Sequence, residues 1–120
     1  MPVIASEHRV VLIRIAHFDA VESDDDALYV ATREWWRVAA TRTDGGPTSP
    51  THALAVVQGR VVAAYEIAGW RQRDSDGRRA FRGEPARGPV AGYVGSDVRE
   101  YFPQGSANPI RYVNCDASTA

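Results

Sequence analysis

The run HALAVVQGRVVAAYEIAGW, residues 52–70, constrains the fold more than any other stretch of the chain. Two segments rich in β-branched and aromatic residues flank QGR, and this spacing predicts a hairpin pairing roughly 52–58 with 60–70. Ala53, Ala55, Ala63, Ala64 and Ala68 are small for a packed sheet and leave room for a bulky group to approach. The candidate to fill that room is DDALYVATREWWRVA, where Leu28, Ala31, Trp35 and Val38 recur at helical spacing and predict a helix over about 25–39. The acids of ESDDD (22–26) lie where they favour the positive end of that helix.

The other elements are shorter. HRVVLIRIAHF (8–18) reads as a buried first strand, RRAFRG (78–83) as a strand with Phe81 on one side, and IRYVNC (110–115) as the last strand. GSDVREYF (95–102) predicts a short helix capped by Ser96 or Asp97 and stopped before Pro103, while Gly and Pro break TRTDGGPTSPT (41–51) and EPARGPVAG (84–92) into loops. Strands that do not alternate regularly with helices disfavour a doubly wound parallel sheet. The expected fold is α+β: a small, partly closed mixed β-barrel flanked by one or two helices, with residues 1–120 forming a single domain.

Composition excludes several chemistries. Cys115 is the only cysteine, and His8, His17 and His52 are scattered, so neither a disulfide nor a metal site is expected. All 14 basic residues are arginine, which rules out a lysine Schiff base or a lysine nucleophile. No nucleophile elbow, P-loop or dinucleotide fingerprint occurs, and no cofactor is expected. No membrane span is expected, and charges at Glu7, His8, Arg9 and Arg14 interrupt any signal-peptide core, so the expected location is cytoplasmic. A formal charge of -1 argues against a generic polyanion binder, yet residues 69–88 hold six arginines against Asp74, Asp76 and Glu84.

Candidate binding residues follow from that distribution. Trp35 and Trp36 are neighbours about 100° apart on the expected helix, so only one can be central to the core; Trp36, beside Thr32 and Arg33, either covers the rim of the apolar stripe or walls a base-stacking pocket. Trp70 ends the second hairpin strand next to Arg71 and Arg73, an arrangement in which an indole stacks a base while arginines, Arg82 among them, hold phosphates. Tyr65 is a third aromatic candidate. Glu66 on an apolar strand is either exposed or, if buried, paired or functional. In PQGSANPI (103–110), Ser106 and Asn108 could face a base edge with Arg111 behind them, or Asn108 could simply close an Asx-turn.

ATREWWRV, the hairpin QGRVVAAYEI and the later FRGEPA and YV segments together resemble the PUA-like superfamily of small barrels, which includes ASCH, EVE and YTH-type domains. The chain is also similar to bacterial proteins sharing the order ATR-x-WW, G-x-V, Y-x-I-x-x-W, F-x-G and NP-x-RY-x-N, over about residues 28–115. The resemblance implies recognition of nucleic acid or a modified, flipped-out base in an aromatic pocket. Some ASCH-type relatives are amidohydrolases on acylated cytidine that use a lysine, a threonine and a glutamate. Thr32 and Glu66 could stand in for two of these, whereas the lysine is absent. The leading expectation is therefore a domain that binds nucleic acid or a nucleotide-like small molecule. A small hydrolase using Glu66 and Thr32 is the alternative, and a non-catalytic interaction domain, possible as a homodimer, is the third reading.

Overall fold

A computed structural model of the chain describes residues 4–5, 7–15, 36, 49–72, 74–75, 77–102 and 110–115. It contains five strands: β1 (Val10–Arg14), β2 (His52–Val57), β3 (Arg60–Gln72), β4 (Arg79–Pro85) and β5 (Ile110–Val113). They form one sheet in the order β4-β3-β2-β1-β5. β1 runs parallel to β2, and every other neighbouring pair is antiparallel. The domain is thus mostly sheet, and among the described residues that sheet is not closed, with β4 and β5 as its edges.

The expected hairpin is present. Gln58 and Gly59 form a two-residue turn with φ of 52° and 79°, the positive values that the tightest hairpin turns require at both central positions. β3 then outruns its partner and continues to Gln72, beyond the strand end expected at Trp70. Two register shifts, one opposite Ala55/Val56 and one at Ile67/Gly69, bend this long strand.

Both faces of the sheet are covered, which explains why β1 is apolar without alternation. Val10, Leu12, Leu54, Val56 and Val61 lie in one cluster with Val90 and Val98. Val11, Ile13, Ala53, Ala55, Tyr65, Phe81 and Ile110 form the other, against which Trp36 and Trp70 pack. Alanines of β2 share this cluster with a tryptophan, and at Trp36 itself the backbone is not helical. The Trp36 N–H donates to the Arg79 carbonyl and the Arg79 N–H to the Trp36 carbonyl, each at 2.9 Å, so Trp36 is a β-bridge residue. A helical residue would spend those groups four positions away along its own chain. The rest of the expected helix lies outside the described residues.

The helix expected over 95–102 is also corrected. Only Arg99–Tyr101 makes a helical turn, of the tighter 3-10 kind, and a second 3-10 helix occupies Gly88–Tyr93. The reason is that backbone groups before Arg99 are used elsewhere: Val61 N–H donates to the Ser96 carbonyl, Gly95 N–H to the Val61 carbonyl and Val98 N–H to the Gly59 carbonyl. Residues 95–98 thereby flank the start of β3, with Asp97 bridged to Arg60. Among the described residues no helix is long and apolar enough to cross a membrane.

The segment before β1 is tied down by side chains distant in sequence. Tyr101 and Tyr93 hydroxyls accept the Ile4 and Ala5 N–H groups at 3.1 and 2.9 Å. Asn114, at φ 63°, donates its amide to the Ala5 and His8 carbonyls, both at 2.8 Å.

Candidate functional site

The site is set by the register of β3. From the Gln58–Gly59 turn, a hairpin without irregularity would place His52 opposite Tyr65. The first bulge inserts one residue, and His52 instead faces Glu66. Ile67 N–H donates to the Thr51 carbonyl at 2.9 Å, which makes His52 and Glu66 a non-hydrogen-bonded pair, the kind whose side chains come closest, with Cβ atoms about 4.5–5.5 Å apart. The second bulge leaves Ala68 without a partner and turns Trp70 onto the same apolar cluster as Tyr65 and Ile67. Gly83 faces Ile67 at that bulge, where a Cβ would collide with the Glu66 carbonyl oxygen.

These shifts open a cavity of about 330 Å³ at the end of the hairpin away from its turn. Arg9, Thr51, His52, Glu66, Gly69 and Trp70 are among the residues that line it. Trp70 is half-buried and meets Phe81 edge to face, with ring centroids 5.9 Å apart. Opposite Gly69 stands Arg82, whose guanidinium comes to 3.8 Å from where a Gly69 Cβ would sit. Glu66 and Arg82 are exposed, and Glu84 faces Glu66 from β4.

His52 is held by its neighbour. The Thr51 hydroxyl donates to the Arg9 carbonyl at 3.1 Å, and its oxygen lies 2.8 Å from His52 Nδ1. The hydroxyl has one hydrogen for these two partners, so with that hydrogen on the Arg9 carbonyl it pairs with an Nδ1–H imidazole, and with it on Nδ1 it pairs with the Nε2–H form. Burial pushes the imidazole below its ordinary pKa of 6.5, against the opposing pull of the Glu66 carboxylate and with a smaller push from His8. The ring at neutral pH is therefore uncharged although a carboxylate stands beside it.

Of the residues expected from sequence, the fold brings Glu66 and Trp70 into one cavity, with Arg82 at its edge. Arg71 is exposed at the end of β3. Tyr65 is buried, 5% exposed, and with half-buried Trp36 it packs in the apolar cluster; neither lines the cavity. Arg111 is half-buried on β5 opposite Leu12, three strands across the sheet from β3 and so roughly 14 Å away at the usual strand spacing. Thr32, Arg33, Arg73, Ser106 and Asn108 lie outside the described residues.

Sequence reasoning weighed His52 only as a metal ligand and passed over Thr51 and Arg9. A Thr-His pair at the head of an apolar strand was the available signal. Among the described residues no group of three His, Cys, Asp or Glu side chains is placed to hold a metal ion. No family model, curated protein or solved structure matches the chain.

Proposed function

We propose that the protein binds a nucleobase or nucleoside-like molecule, free or presented by a nucleic acid strand, in the cavity between Thr51–His52 and Glu66–Trp70. One observation carries this reading: His52 and Glu66, two side chains able to hydrogen-bond a ligand, line the same cavity as Trp70. A volume of about 330 Å³ sits at the lower end of the roughly 300–1,000 Å³ usual for small-molecule sites, the size of one base or nucleoside and not of a polymer. Trp70 offers a flat surface for stacking, and exposed Arg71 and Arg82 lie nearby for a phosphate. The PUA-like reading of the fold belongs with this proposal, and what the five-stranded mixed sheet supports is the coarser class, a small β-rich domain.

The other readings find less support. A hydrolase built on Glu66 calls for a secluded carboxylate, and Glu66 is exposed. A protein interface built on tryptophan calls for an exposed indole, whereas Trp36 and Trp70 are both half-buried against the apolar cluster, and Trp70 also lines the cavity.

The test is a titration with nucleosides and short single-stranded oligonucleotides, followed by tryptophan fluorescence. Trp70→Ala is expected to weaken binding about 5- to 100-fold, the worth of one stacked base, and Glu66→Gln, an exposed change that leaves the core intact, to weaken it as well. Binding by no nucleoside or oligonucleotide would end the reading, as would both variants binding like the unmodified chain.

A further inference from the structure

Thr51, His52 and Glu66 say more about the ligand than its size. His52 and Glu66 stand directly opposite on neighbouring strands and line the same cavity. Nδ1 is taken up by the Thr51 oxygen, so the polar atom left for a ligand is Nε2, which is a hydrogen-bond acceptor in the Nδ1–H tautomer that the proposal below requires. A carboxylate is also an acceptor only. The two groups therefore match a partner that offers donors to both.

We propose that His52 and Glu66 form a two-acceptor reading edge selecting bases with adjacent ring N–H and amino N–H donors, the pattern of the guanine Watson–Crick edge, and that protonating His52 turns it into a donor–acceptor edge suited to adenine. This rests on the base-binding reading above and adds which base and at what pH. Adenine presents a ring-nitrogen acceptor beside its amino donor, so it meets neutral His52 acceptor to acceptor and protonated His52 as a hydrogen-bond partner. Hypoxanthine keeps the ring N–H and lacks the amino group, and so separates the two contacts. Charged and titratable groups around His52 are Glu66 on β3, Glu84 opposite Glu66 on β4, and His8 and Arg9 ahead of β1. The group that changes state in the window is the imidazole, whose pKa lies below its ordinary 6.5 because of burial. The acceptor form therefore prevails at neutral pH and is lost as the pH falls through that lowered value.

The experiment measures binding of guanosine, inosine and adenosine between about pH 7.5 and about pH 5, with His52 ring protonation followed by NMR in the same samples. The expected result at the upper pH is guanosine bound about tenfold or more tighter than adenosine, with inosine between them. The preference should fall in step with His52 protonation, the ring nitrogen shifts should report the Nδ1–H tautomer, and His52→Gln should lose the pH dependence. Equal affinities at the upper pH, a preference that does not follow His52, or an Nε2–H tautomer would overturn the inference while leaving a base-binding cavity in place. If none of the three nucleosides binds at any pH, both this inference and the reading beneath it fail.

Discussion

Gly83 shows how closely the site depends on single residues. It lies across from the second bulge of β3, and a methyl group there would meet the Glu66 carbonyl oxygen, a backbone atom that cannot swing aside. Gly83→Ala is expected to destabilise the fold by about 1–3 kcal/mol, the usual cost of overpacking, and to weaken ligand binding through Glu66. Gly92→Ala, whose added Cβ meets nothing within 4 Å, should change stability little; urea unfolding of the two variants makes the comparison. At this scale the sequence was half legible. Glu66 and Trp70 stood out because a carboxylate and an indole are conspicuous in an apolar hairpin. His52 did not, because what matters about it is the Thr51 hydroxyl and a register that places Glu66 opposite, and one bulged residue fixes that register.

Elements were legible where local chemistry decides them. The Gln58–Gly59 turn and its flanking strands follow from turn geometry and β-branched runs. The first bulge, at Val62, has no turn residue to mark it, whereas Gly69 stands at the second. Helical spacing in ATREWWRV was misleading at Trp36, where pairing with Arg79 outweighs propensity. A different device fastens the segment before β1: Asn114 sits in the left-handed region and bonds two carbonyls. Asn114→Ala removes both bonds and leaves a Cβ-bearing residue without local compensation at that φ, so a loss of about 1–3 kcal/mol is expected. Asn114→Gly keeps the conformation and loses only the bonds. Hydrogen exchange should show the Ile4 and Ala5 amides losing protection in both variants, and more in the alanine one.

For the molecule as a whole, the sheet determines what can meet. Covering both faces with apolar side chains leaves the strand ends as the places where polar groups gather, and the open end of the β2–β3 hairpin collects Arg9, Thr51, His52 and Glu66 beside Trp70. Arg111, on the far edge strand, is not among the residues lining that cavity. The β-rich class was readable from the density of strand-forming runs; the strand order was not, because the parallel pairing of β1 with β2 depends on a connection spanning residues 15–51. The central claim is that this one cavity takes the base. Chemical-shift mapping during a guanosine titration tests it most directly. Resonances of Thr51, His52, Glu66, Gly69 and Trp70 are expected to move together and saturate with one affinity while those of Arg111 and Tyr112 stay in place. Shifts centred on β5, or none at the cavity, would contradict it.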